Sequence, residues 1–284
     1  VTFYEVLDEY INYLQIYGKG RSVDQARFHG KLLADHFQMQ EASEIGDKEI
    51  NAYVRDRLEY GWSPPTVNAS LRVFKAAMRY CGVNAKPRML KVIKRLPTTL
   101  TAVEVDQLVE SAKENEPTMI AHDAIVIAAY AGLRHKEIVH LAKSDVDIMK
   151  ATLSVTAKPE VNWTPKNHQE RVIPFKKGGR LEEVLVRRTI VPDTRWLFHG
   201  ASKKKPRKDV QAEVRYAFLR AHLYCREDKS GLHMLRRSWA SRLIERGADI
   251  NTVRELGGWS NLEVLLHYLR ASDESKRLAI ERIE

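Results

Sequence analysis

Residues 231–270 read GLHMLRRSWASRLIERGADINTVRELGGWSNLEVLLHYLR, and the rest of the chain is read outward from them. His233 and Arg236 are three apart, so on a helix they share one face. A histidine beside an arginine suits a phosphate, because one side chain moves a proton and the other neutralises charge bidentately. Trp259 follows at the far end of the stretch. Tyr268 closes an apolar-rich run (Leu262, Val264, Leu265, Leu266) from which it can reach back toward the pair.

The 284 residues leave room for one large domain or two ordinary ones. Forty-seven Lys and Arg against 37 acids give a net charge of +10. That excess fits a polyanionic partner, nucleic acid being the commonest, or simply a basic soluble protein. The sequence has no apolar run long enough to span a bilayer and no secretory signal pattern. Cys81 and Cys225 lie far apart with no metal-ligand spacing, which reads as free thiols in a reducing compartment. Because the chain begins at Val1, the expectation is a truncation or a missing native segment upstream.

The first part reads as helical throughout. Apolar residues recur at helical period from Thr2 to Tyr17 (Phe3, Val6, Leu7, Tyr10, Ile11, Leu14). Ser22 or Asp24 is the expected cap of a second helix carrying Phe28, Leu32, Leu33 and Phe37. Asp47 is the expected cap of a third, with Ile50, Val54 and Leu58 inward. Ser63-Pro64-Pro65 starts a fourth, with Val67, Leu71, Phe74 and Met78. This last helix also carries Arg72, Lys75 and Arg79 in line, which fits either a track along a DNA backbone or a solvated face. Asn84 to Pro97 holds two prolines and a basic run, and reads as a linker.

Past the linker, Thr101 and Glu104 form a capping box. An apolar helix, Ala121 to Tyr130, reads as buried and ends at Gly132. Arg134 follows directly, with Glu137 three residues on. The two form either a structural ion pair or an arginine held rigid in a cleft. Residues 151–155 and Arg171-Val172-Ile173-Pro174 read as strands. Lys166 lies between them on an expected hairpin, where it is either an ordinary exposed lysine or a side chain reaching a ligand; Lys158 is its alternative. The run Lys203-Lys204-Lys205-Pro206-Arg207-Lys208 is a targeting signal, a solvated loop or a phosphate contact without sequence readout. Asp209 is the expected cap of a helix with Val214, Phe218 and Leu219 inward.

In order, Gly132-Leu133-Arg134 with Glu137, Lys166 ahead of Arg171-Val172-Ile173-Pro174, His233-Met234-Leu235-Arg236, Gly258-Trp259 and Tyr268 resemble the tyrosine recombinase (phage integrase) family. That family carries G-L-R-x-x-E about a hundred residues before H-x-L-R. A G-H or G-W follows, with a tyrosine nine positions after the His or Trp. The resemblance covers nearly the whole chain, but its diagnostic motifs all lie in the second part. Trp259 stands where most members have a second histidine and some have tryptophan. The glycine is doubled (Gly257-Gly258), and counting back from Tyr268 puts Trp259 in the family position. Tyr216 and Tyr224 are rival nucleophiles only in another register.

The resemblance implies a mainly α protein with a small antiparallel β-sheet. Residues 1–83 would form a helical core-type DNA-binding domain, 84–98 a basic linker and 99–284 an α+β catalytic domain. It implies site-specific recombination through a 3′-phosphotyrosyl intermediate and a Holliday junction, with Tyr268 as nucleophile. Arg134 and Arg236 would stabilise phosphate charge, with the Trp259 indole N–H and with Glu137 in support. His233 would be the base and Lys166 the acid; no metal or cofactor is implied. The DNA contacts expected are Arg72, Lys75, Arg79, Lys203, Lys204 and Lys205. The expected partners are double-stranded DNA carrying a recombination site, three further protomers in a tetramer, and accessory DNA-bending or directionality proteins. The expected place is the cytoplasm, at the nucleoid, in a prokaryotic, archaeal or viral host setting. The last segment (Leu278, Ile280, Ile283) reads as a helix that docks on a neighbouring protomer or on its own domain. The alternatives are type IB topoisomerase-like strand relaxation and an inactive DNA-binding relative.

Overall fold

The computed structural model describes every residue except Lys19, 94–97, 114–117, 225–230, 263–280 and 282–284. Tyr268, Cys225 and the expected C-terminal docking helix therefore lie outside the described residues. Contacts divide the chain into two compact units, Val1–Arg95 and Leu96–Glu284.

The first unit is helical: α1 (Phe3–Tyr17), α2 (Gly20–Phe37), α3 (Asp47–Glu59) and α4 (Pro64–Tyr80). Thr2 and Glu5 form a reciprocal capping box at the start of α1. The rings of Phe3, Phe37 and Phe74 meet at centroid distances of 5.3 to 5.6 Å and join α1, α2 and α4. Such contacts contribute about 1 kcal/mol each beyond the area they bury. Asn68 of α4, itself buried, exchanges two hydrogen bonds with the Leu90 backbone (2.9 and 2.8 Å). Ala85 and Leu90 pack on this unit as well.

Three local expectations are corrected here. The second helix starts at Gly20, so Ser22 and Asp24 lie within it, and the early turn brings Val23 and Ala26 into the core. The third helix is capped at Gly46, where Glu49 accepts from the Gly46 N–H at 3.0 Å. Phe28 and Leu58 are exposed. Ala26, Gly30, Leu33 and Phe37 form the inward stripe of α2, and Phe28 is about 200° round the helix from Ala26. Leu58 is five positions past the buried Tyr53, about 140° off its face.

The second unit is built on α6 (Ile120–Ala131), which is buried almost all round, as its largely apolar sequence favours. It is flanked by α5 (Ala102–Lys113), α8 (Arg180–Thr189), α9 (Gln211–Arg220) and α10 (Leu232–Glu245). A short α7 (His135–Val139) follows α6, and α11 (Ile250–Gly257) packs on α10. Strands β1 (Val146–Asp147), β2 (Thr152–Val155) and β3 (Arg171–Pro174) form an antiparallel sheet in chain order. In the β2–β3 register Leu153 faces Ile173 and Val155 faces Arg171. The chain is thus mainly α with a small antiparallel sheet, as expected. The Thr101–Glu104 capping box is present, with the Thr101 N–H donating to Glu104 at 2.7 Å. Asp209 accepts from the Gln211 N–H at 2.6 Å, but the cap position of α9 is held by Val210, one residue later than expected. Leu219 is exposed instead of inward, because α9 is seated through Val214, Ala217 and Phe218 at i, i+3 and i+4.

Asp123 locks α6 to α8. It is fully buried, accepts from Arg188 Nε at 2.6 Å and from Arg187, and lies 2.7 Å from His122 Nδ1. Burial alone would raise its pKa, but these partners outweigh it and hold the carboxyl below its usual range. Asp123→Asn leaves the buried Arg188 without its counter-charge. The expected cost is about 3 kcal/mol, read by urea unfolding through the tryptophan emission of the second unit.

Candidate active site

Gly132 ends α6 in the left-handed conformation (φ 65°) and turns the chain so that Arg134 emerges beside the helix end. A side chain at this glycine would collide with the Trp239 ring. Arg134 then precedes α7, and Glu137 reaches back to accept the Arg134 backbone N–H at 2.8 Å. The Arg134 guanidinium donates to the same carboxylate, Nη1 to Oε1, at 2.8 Å.

Glu137 is the hub of the site. It is 2% exposed and faces three arginines. Arg171, at the start of β3, donates to both of its oxygens at 3.0 and 2.7 Å. Arg236, on α10, brings Nη1 within 3.9 Å. Burial pushes this carboxyl upward, but the Arg171 hydrogen bonds and the charges of Arg171, Arg134 and Arg236 win and hold it at about 2.

The same three arginines meet the end of α11. Arg171 Nε donates to the Leu256 carbonyl at 2.7 Å. Arg236 Nη2 donates to the Gly257 carbonyl. Arg134 Nη2 donates to the Gly258 carbonyl at 2.7 Å. Three consecutive carbonyls at a helix C-terminus therefore each receive a different guanidinium. Those carbonyls have no partner further along the helix, and the helix dipole there favours cations. Arg236 Nη1 also reaches the Gly132 carbonyl at the end of α6.

This explains the doubled glycine. A Cβ on Gly257 would lie 1.8 Å from the Trp259 ring. Gly258 is left-handed (φ 62°), and a Cβ there would press on the Arg171 guanidinium at 3.1 Å. Trp259 is consequently folded back and buried. Its ring lies under Arg236, 4.0 Å from the guanidinium carbon, and stacks on Trp239.

His233 stands in the first turn of α10 with an exposed ring. Partial desolvation and the charges of Arg236, Arg237, Arg134 and His135 lower its pKa. Its imidazole is therefore biased toward the neutral, proton-accepting form at neutral pH.

The fold brings Arg134, Glu137, Arg236 and Trp259 into contact, with His233 on the same helix as Arg236. Tyr268 lies outside the described residues. Lys166 is exposed on a short turn, Lys166–His168, and among the described residues makes no hydrogen bond or ion pair to the arginine cluster. Lys158 is buried: its amine donates to Asp145 at 2.9 Å and to Thr156. Arg72, Lys75 and Arg79 are exposed on α4, away from Leu71, Phe74 and Met78. Lys204 and Lys205 are exposed, and Lys203 lies 3.7 Å from Asp193. Their loop is pinned by the Trp196 indole, which donates to the Lys204 carbonyl at 3.2 Å.

Arg171 and Trp239 belong to the cluster but were not expected there. A signal for Arg171 existed. Alternation along β3 puts residue 171 on the face of the inward Ile173, and an inward arginine needs a buried carboxylate.

The phage integrase family pattern matches residues 98–275. The chain is 27% identical over 284 residues to the tyrosine recombinase XerA of Pyrococcus furiosus, covering 98% of this chain and 93% of that protein. It is 28% identical to the tyrosine recombinase XerC of Bacillus pumilus, covering 97% and 92%. Its fold matches a lambda integrase dimer bound to a COC′ core site, with TM-score 0.78 and 19% identity over 95% of this chain and 77% of that one. It also matches the Tn1549 transposon integrase in complex with transposon right end DNA, with TM-score 0.76 and 18% identity over 100% and 99%.

Two substitutions test the cluster. The Glu137 carboxyl is depressed from 4.5 to about 2, so its contribution is full above pH 4.5 and is lost as pH falls toward 2. Glu137→Gln should therefore cost about 3 kcal/mol at pH 7, and the gap from the parent should close between pH 4.5 and 2 in acid-unfolding titrations. Gly257→Ala forces the indole off its seat; a stability loss of about 2 kcal/mol and an altered Trp emission are the expected readouts.

Proposed function

The chain belongs to the phage integrase family and is a site-specific tyrosine recombinase, and we propose that Arg134, Lys166, His233, Arg236, Trp259 and Tyr268 carry its chemistry. In this reading the helical first unit is a DNA-binding domain and the second unit is catalytic. The observation that carries it is the convergence of Arg134 and Arg236 on Glu137 and on the carbonyls of Gly258 and Gly257. Rigid guanidinium groups held by a buried carboxylate can bind a phosphodiester without reorganising.

Charge supports the assignment. Arg134, Arg171 and Arg236 are three positive groups around the single negative Glu137. A phosphodiester carries one negative charge and gains more as a nucleophile adds, so the excess positive charge grows in value toward the transition state.

The Tyr268 hydroxyl is the nucleophile. Its oxygen bonds to the scissile phosphorus as the bond from phosphorus to the 5′ oxygen breaks. A free phenol with a pKa near 10 is a weak nucleophile at neutral pH, so its proton must be taken as the bond forms. His233 receives that proton, and its lowered pKa keeps it in the accepting form. The departing 5′ oxygen needs a proton in return, and Lys166 is its donor. Lys158 is the weaker choice, because its amine is buried against Asp145 and Thr156. The indole of Trp259 stands beside the arginines as a neutral donor toward a nonbridging oxygen.

The product is a 3′-phosphotyrosine and a free 5′-hydroxyl. A 5′-hydroxyl from the partner strand then attacks the phosphotyrosine and releases Tyr268, so the phosphate bond energy is conserved. Pairwise exchange through a Holliday junction requires four protomers on two sites. Arg72, Lys75, Arg79 and the Lys203–Lys205 run are the proposed backbone contacts; they add affinity and salt dependence without sequence readout. Accessory DNA-bending or directionality proteins, and action at the nucleoid in the cytoplasm, complete this reading.

A nicked duplex bearing a candidate recombination site, incubated with protein and a chelator, tests it. The parent should give a covalent protein–DNA adduct on a denaturing gel, and Tyr268→Phe should give none. An adduct that survives in Tyr268→Phe moves the nucleophile to another tyrosine. Tight binding with no adduct on any site makes an inactive DNA-binding relative the better reading.

A further inference from the structure

We propose that Arg171 is a positioning residue of this active site, acting through Glu137 and through the last turn of α11. The inference rests on the recombinase reading above. Burial does not set Arg171 apart, since it is 7% exposed and Arg236 4%; the direction of its donors does. Its donors are directed inward to two different elements. Nη1 and Nη2 span both oxygens of Glu137, and Nε takes the Leu256 carbonyl.

Each contact fixes a different part of the site. Glu137 is the carboxylate that orients Arg134, and a bidentate fork from Arg171 allows that carboxylate one rotation. Leu256 immediately precedes Gly257 and Gly258, whose carbonyls receive Arg236 and Arg134. The hydrogen bond from Arg171 therefore sets the height of the turn on which both other arginines rest, and from which Trp259 folds back over Arg236. Gly258 is shaped for this arrangement, since a Cβ there would meet Arg171 Nη1, Cδ and Cζ at 3.1 to 3.4 Å. Removing Arg171 would leave Glu137 a buried carboxylate with fewer donors. It would then pull Arg134 and Arg236 toward itself and away from the phosphate.

Lysine cannot replace this side chain fully. One ammonium group reaches Glu137 or the Leu256 carbonyl, but it does not bridge both in the planar geometry of the fork. The site should therefore respond in steps: arginine, then lysine, then alanine.

The test is single-turnover cleavage of the nicked duplex at saturating protein, comparing the parent with Arg171→Ala and Arg171→Lys. Arg171→Ala should slow cleavage about 100-fold while DNA affinity stays within about threefold, and Arg171→Lys should recover about tenfold. The same comparison is then made with a methylphosphonate at the scissile position. A methyl group there replaces one nonbridging oxygen and removes the phosphate charge, so misplaced arginines should matter less. The Arg171→Ala defect should shrink to under about tenfold on that substrate. A residue that only supported the fold would lose equally on both substrates, and that equality would overturn the inference. So would parental cleavage by Arg171→Ala. If Arg171→Ala does not fold, Arg171→Lys decides: its smaller defect must still shrink on the methylphosphonate. A parent that forms no adduct overturns the recombinase reading together with this inference. A parent that cleaves beside an indifferent Arg171→Ala overturns this inference alone.

Discussion

A carboxylate buried among three arginines is the constraint on which the second unit depends. Glu137 has almost no access to water, and an isolated charge there would be prohibitively costly. Arg134, Arg171 and Arg236 remove that cost, and they come from three separate parts of the chain: the end of α6, the start of β3 and the first turns of α10. The elements must therefore meet for the charge to be tolerated. Removing Glu137 would leave buried guanidinium groups uncompensated, and removing an arginine would leave the carboxylate with fewer donors, which makes the cluster cooperative.

The end of α11 completes this arrangement from the other side. Helix C-termini leave carbonyls in need of donors, and here three in succession are met by the same three guanidinium groups. Helix termination and guanidinium placement are consequently one event. Gly257 and Gly258 make it sterically feasible, the first by yielding space to Trp259 and the second by turning left-handed over Arg171. The Trp259 ring fills the space beside Trp239 and forms the floor under Arg236.

Much of this was legible in the residues alone. The apolar period of Phe3 to Leu14, the Ser63-Pro64 start, the Thr101–Glu104 box and the largely apolar α6 reflect local chemistry, and each appears where expected. Phe28, Leu58 and Leu219 were misassigned because a stripe can be drawn through several apolar sets, and only packing against neighbours selects one. The order of Arg134, Lys166, His233, Arg236, Trp259 and Tyr268 is a property of motif spacing along the chain; of these, the fold brings Arg134, Arg236 and Trp259 together. Arg171 marks a strand in the sequence, and strand alternation places it on the inward face.

The sequence by itself determined most of the helices, the Thr101–Glu104 cap and, through its motifs, the family, because these follow from periodicity, capping chemistry and spacing. Only the tertiary structure decided which charges share a partner. It sent Lys158 to Asp145 and left Lys166 exposed, and it gave Glu137 three arginines instead of one. The physical reason is desolvation. A charge acquires its partner from whatever the fold buries beside it, and residues 137, 171 and 236 become neighbours only when the helices and the sheet close over them.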